Sequence, residues 1–197
     1  MLKGNSLKYI LSIVAAILLS LLATSCVSEQ GAGSEWDILM QEALSLKQQG
    51  QYDSAVVVAR KALKVAEKNV SSDHPDVAQS LNNLASLYHD QGQYVQAEPL
   101  FKRALAIDES ALGPDHPELA PTLNNLAGLY RTQGKYAEAE PLYKRALAIV
   151  EKSLGPDHPY VATSLYNLAK LYRATNRDKE AEELELRAAA IRSKRAD

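Results

Sequence analysis

Four sets of residues in this chain are of a kind that does chemistry. Cys26 is the only cysteine, so no disulfide can form within the chain. It follows an apolar run, Ile10–Ala23, that lies behind Lys3 and Lys8. A basic flank, a short apolar core and small residues at its end make an export signal, and the run falls short of the ~20 residues that a bilayer-spanning helix needs. A thiol at that junction is placed for modification rather than for catalysis. His74, His116 and His158 each stand in an Asp-His-Pro triplet. Zinc ligands must lie about 2.0–2.3 Å from their ion, whereas equivalent residues of successive stacked units are separated by two helix layers at ~8–10 Å each. These histidines are read as parts of a capped turn. Glu138 with Glu140, and Glu182 with Glu183, are read as solvated helix surface rather than as paired catalytic acids. No glycine-rich phosphate loop, nucleophile elbow or HExxH motif occurs. What remains is recognition. Asn82, Asn83, Asn124, Asn125 and Asn167 offer amides, and His89, Arg131, Lys170 and Arg173 offer positive charge. The expectation is a binding protein with no enzymatic activity, no cofactor and no metal.

The elements that position these residues come from one unit written twice, residues 77–118 and 119–160, with 28 of 42 positions identical. Residues 35–76 and 161–197 carry the same marks in register, which makes four repeats without insertions. A fixed period of this length is the signature of a stacked-repeat protein, and about three units are the least that is stable. Leu81, Leu84, Ala85 and Tyr88 follow the i, i+3, i+4, i+7 spacing of an amphipathic helix, and Gly92 ends it. A second helix is expected from about Val95, burying Ala97, Leu100, Phe101, Ala104, Leu105 and Ile107. Pro114 stops it; Asp115 is the expected cap of the next helix and Pro117 suits its first turn. Ser34 and Asp37 form a capping box at the start of the array. Pro99 and Pro141 fall a turn inside their helices, where proline costs a backbone bond and is expected to kink the helix. The closing helix, Lys179–Arg195, is heavily charged, as a terminal repeat must be for solubility.

The pattern resembles the tetratricopeptide repeat in its 42-residue, kinesin-light-chain form. The residues that carry the resemblance are LNNLASLY (81–88), LNNLAGLY (123–130), LYNLAKLY (165–172), the GQY and GKY turns, AEPLFKRAL (97–105) and AEPLYKRAL (139–147). It covers residues 35–197 and implies an all-α, right-handed solenoid of four helix-turn-helix repeats closed by a C-terminal capping helix. It also implies that the first helices line a concave groove where a peptide lies. In that family, asparagines at the column Asn83, Asn125 and Asn167 pair with the backbone of an extended peptide. The residues alone equally allow these amides to bond to neighbouring helices. The column Lys47, His89, Arg131 and Arg173, joined by Lys170, is expected to make the groove positive and its partner, an unidentified protein or peptide, acidic. The same repeats also fit a structural subunit whose groove or open end is filled by another copy or by a neighbouring subunit.

Leu22-Ala23-Thr24-Ser25-Cys26 resembles the bacterial lipoprotein signal, in which the cysteine is lipidated and becomes the new N-terminus. The usual leucine three places before the cysteine is here Ala23. The residues also fit an uncleaved anchor, or ordinary cleavage that leaves a spare thiol. The resemblance implies a signal peptide over 1–25 and a lipid anchor at Cys26; Val27–Ser34, short, polar and glycine-containing, reads as a flexible tether that with the cysteine spans 26–34. Val27, in place of a retaining aspartate, implies the periplasmic face of the outer membrane of a bacterial envelope. The chain has 22 basic and 24 acidic residues. Removing 1–25, with its two lysines, leaves 20 and 24, a formal charge of −4. This is not the electrostatic footprint of a nucleic-acid binder.

Overall fold

The computed structural model describes residues 35–194. The expected signal peptide, Cys26, the tether and Ser34 lie outside the described residues. Among the described residues there are eight helices and no strand: α1 (35–48), α2 (Tyr52–Asn69), α3 (Pro75–Asp90), α4 (Tyr94–Leu112), α5 (Leu119–Thr132), α6 (Tyr136–Leu154), α7 (Pro159–Ala174) and α8 (Asp178–Ser193). They form four antiparallel pairs, and each second helix packs on the first helix of the next pair. No helix among the described residues is long and apolar enough to cross a membrane.

Alternating small and large side chains set this packing. Ala85, Ala127 and Ala169 are fully buried, as are Ala97, Ala139 and Ala181, so facing helices approach closely. Leu81, Leu123 and Leu165 fill the spaces between them, each with no exposed surface. The turns within pairs need left-handed backbone. Gly92 and Gly134 supply it at φ +73°, and Asn176 takes their place in the last pair at φ +58°, which its short polar side chain tolerates.

The linkers differ from expectation in one respect. Histidine, not aspartate, caps α3 and α7, whereas the N-cap of α5 is Glu118, with no side-chain cap. His74 Nδ1 accepts the Asp76 N–H at 3.2 Å, His158 Nδ1 accepts the Tyr160 N–H at 3.3 Å, and His116 Nδ1 accepts the Glu118 N–H at 3.4 Å. The neighbouring Asp115 and Asp157 turn instead to Lys152 and Lys194, each at 2.9 Å. Helices α3 and α7 begin at the proline after their histidine, but α5 begins two residues later, at Leu119. Pro121 explains this. Were Pro117 the first helical residue, Pro121 would have to donate the first interior backbone bond, and it has no N–H. Pro99 and Pro141 do not interrupt α4 or α6.

The N-terminal end of the array is closed by polarity. Where α3, α5 and α7 bury Leu84, Leu126 and Leu168, α1 has the exposed Glu42, and where they bury Leu87, Leu129 and Leu171, it has the exposed Ser45.

Straps join successive repeats on the second-helix side. Tyr130 and Tyr172 donate their hydroxyls to Glu98 at 3.1 Å and Glu140 at 3.2 Å. Arg103 reaches back to Glu67 at 2.9 Å and Arg187 to Glu151 at 2.6 Å. Partly exposed bridges of this kind contribute little singly, about 0–1 kcal/mol each. Their recurrence at one spacing keeps the repeats in register.

Candidate functional site

The helices α1, α3, α5 and α7 each carry their amides and cations on one side, and the structure brings these columns together across repeats. Asn125 Nδ2 donates to Asn82 Oδ1 at 3.1 Å, joining α5 to α3. Asn124 Nδ2 donates to Ser164 Oγ at 3.4 Å, joining α5 to α7. Asn83 Nδ2 lies 3.9 Å from Met40 Sδ. Three of the five expected binding amides, Asn83, Asn124 and Asn125, therefore direct a donor at a neighbouring helix, and Asn82 accepts through its Oδ1. Asn167 is half-buried, and because an amide offers two donors and an acceptor with two lone pairs, each of these side chains keeps capacity beyond these bonds.

The column of cations does not form one open positive channel. Lys47 pairs with Asp90 at 2.9 Å. His89 contacts Thr132 Oγ1 at 3.1 Å and Asp90 at 3.4 Å. Arg131 is half-buried beside Tyr143. Burial pushes the Tyr143 hydroxyl above its ordinary range, and the Arg131 guanidinium offsets only part of that rise. Arg173 pairs with Asp178 at 3.1 Å and Glu185 at 2.7 Å, and those bonds hold the Glu185 carboxyl below the usual range. This explains why the last repeat departs from its neighbours. Tyr136 and Tyr143 give way to Asp178 and Glu185, and the exchange neutralises an arginine at the end of the array. Lys170 has no acidic partner among the described residues. Its Nζ sits 4.4 Å from the centre of the Tyr166 ring, which Arg192 also approaches, at 5.5 Å. Arg131 and Lys170 are thus the site cations left without a carboxylate.

Two cavities open on the amide columns. One, of about 510 Å³, lies between α1 and α3 and is lined by Trp36, Met40, Leu44, Lys47, Asn83 and Ser86 among others. The other, of about 440 Å³, lies between the first turns of α5 and α7 and the last turn of α6. Its lining includes Glu118, Pro121, Asn124, Asn167, Leu154 and Tyr160. Sequence reasoning missed Trp36, Glu118, Leu154 and Tyr160. A signal existed for two of them. Glu118 and Tyr160 hold one repeat position, following the same Gly-Pro-Asp-His-Pro, where the two near-identical units differ. No cluster of ligands fit for a metal ion occurs among the described residues.

The Tetratricopeptide repeat model matches residues 37–110, 77–152 and 118–194, overlapping along nearly the whole described chain. No match to a curated protein was found. Solved structures similar to this one include BtubC (BKLC) from P. vanneervenii, at 27% identity and TM-score 0.72, over 82% of this chain and 64% of that one. This chain thus spans less than two thirds of that protein's length. Kinesin-light-chain-type proteins of Podosopora anserina with nearly identical TPR-like repeats are similar too. One matches at 29% identity and TM-score 0.68, over 82% of this chain and 76% of its own. The other matches at 26% and 0.64, over 98% of both chains. The recurring motifs, the four stacked helix pairs and the family match lead to one conclusion: the chain belongs to the tetratricopeptide repeat family, a protein–protein interaction scaffold type whose members are generally non-catalytic.

Proposed function

We propose that the protein is a non-enzymatic scaffold whose amide-lined face binds an extended segment of a partner protein. It is tethered to a membrane by a lipidated Cys26, on the periplasmic face of a bacterial outer membrane. The observation that supports the binding role is the continuous run of amides from Asn82 to Asn167, with cavities opening on it at both halves of the array. Amide groups with spare donors and acceptors can pair with a peptide backbone of any sequence, and side-chain contacts add selectivity. Arg131 and Lys170 place positive charge along the same face, which favours an acidic stretch in the ligand. The anchor rests on the sequence Ala23-Thr24-Ser25-Cys26 behind its apolar run.

The test is affinity capture from membranes followed by calorimetric titration of the captured partner against Asn167→Ala and Lys170→Glu. Neither residue hydrogen-bonds to another repeat, so the fold is expected to survive, as circular dichroism would check. The reading expects both variants to bind more weakly, and only the lysine variant to lose part of its salt dependence. Full binding by both variants would overturn it.

A further inference from the structure

The cavity between α5, α6 and α7 has a chemistry that the cationic residues of this face do not explain. Its lining contains no lysine or arginine. Glu118 stands in the wall, exposed and with no basic partner among the described residues. Asn124 spends its Nδ2 on Ser164, and its buried Oδ1 has no hydrogen-bond partner. Tyr160 is 64% exposed and Leu154 38%, so a phenol ring and an aliphatic side chain stand open to solvent beside the carboxylate, with Pro121 and Val150 completing the lining. Behind the wall lies a second acid, Asp108, which is buried and feels the Glu118 charge. The Thr122 hydroxyl and His116 oppose that effect on Asp108.

Each of these features matches one part of a single side chain. A carboxylate and an unsatisfied amide oxygen accept N–H bonds from a cation. An aromatic face attracts that cation through its quadrupole. Pro121 and Leu154 cover a methylene stem, as apolar surface does for long basic side chains. We propose that this cavity receives a cationic side chain of the bound polypeptide, arginine in preference to lysine. Arginine is preferred because its planar guanidinium stacks on an aromatic ring while presenting donors to two acceptors at once. The inference rests on the reading that a polypeptide lies along this face, and it names that polypeptide's chemistry: a basic residue at Glu118, with any acidic stretch nearer Arg131 and Lys170. The ligand is then of mixed charge rather than simply acidic.

The experiment uses the ¹⁵N-labelled full chain in a mild detergent. The probes are four capped tripeptides, Ala-Arg-Ala, Ala-Lys-Ala, Ala-Glu-Ala and Ala-Ala-Ala, followed through the backbone signal of Glu118 and the side-chain amides of Asn124 and Asn167. The arginine peptide should shift these signals saturably, the lysine peptide less strongly, and the other two not at all. Glu118→Gln, at an exposed position, should weaken the arginine peptide at least threefold, and so should Tyr160→Ala. Equal responses to all four peptides, or an arginine response unchanged in both variants, would overturn the assignment. The groove reading is judged separately, by the captured partner's response to Asn167→Ala and Lys170→Glu. A partner that needs Asn167 and Lys170 while the arginine peptide ignores Glu118 would remove this inference and leave the groove standing.

Discussion

Asp108 offers a test of how the repeats pack, because it is an acid where the neighbouring repeats place Ala66 and Val150. It is 9% exposed. Burial pushes its carboxyl from 3.8 up to about 6, Glu118 pushes the same way, and the Thr122 hydroxyl and His116 pull it down. The folded protein therefore holds this proton more tightly than the unfolded chain does. The stability it contributes is fully present below pH ~4 and is lost as pH rises through about 6. At 1.36 kcal/mol per pH unit, the shift bounds the effect at about 3 kcal/mol. Asp108 keeps a little exposed surface, and screening reduces this to about 1–2 kcal/mol. Asp108→Asn keeps the shape and an acceptor for Thr122 but cannot ionise. At pH 7.5 it should raise the melting midpoint by about 2–8 °C, and at pH 4 it should change little. Thermal unfolding by circular dichroism from pH 4 to 8 makes the comparison. A variant no more stable than the native chain at pH 7.5, or a gain of the same size at pH 4, would refute the reasoning.

Three further outcomes follow from the packing and the linkers. Leu126→Ala, at a position 3% exposed, should cost about 2–5 kcal/mol in denaturant unfolding, whereas Leu186→Ala, 65% exposed, should cost almost nothing. His158→Ala should lose about 0.5–2 kcal/mol through the cap on α7, and His158→Asp, which can accept the same N–H, should recover most of it. Cys26→Ala should leave the helical signal intact and abolish uptake of a labelled acyl chain; fractionation with lipid labelling reads both.

The repeat frame is legible in the sequence because the packing residues recur. Leu81, Leu123 and Leu165 declare a buried column, and Gly92, Gly134 and Asn176 declare the turns between paired helices. The capping residue is not legible in the same way. Aspartate caps by habit, and only the geometry shows His74 and His158 accepting the N–H groups while Asp115 and Asp157 reach lysines. The charge of the site is misread for a related reason. A column of Lys47, His89, Arg131 and Arg173 looks like one positive stripe along a helix face. Its partners come from other elements: Asp90 from the next repeat, and Asp178 and Glu185 from the paired helix. Asp178 and Glu185 read, in sequence, as the polar wear of a terminal repeat. In space they answer Arg173. The cavity at Glu118 and Tyr160 depends on a shortened α5, which follows from Pro121 only once the helix start is known.

The central claim is that a polypeptide lies along the amide face. The most direct measurement is calorimetric titration of the captured partner against the native chain, Asn167→Ala, and Val95→Asp as a control on the second-helix side, where Val95 is 85% exposed. The account predicts weaker binding for the asparagine variant and native affinity for the control. Native affinity for Asn167→Ala with a loss for Val95→Asp would contradict it and place the partner on the other face.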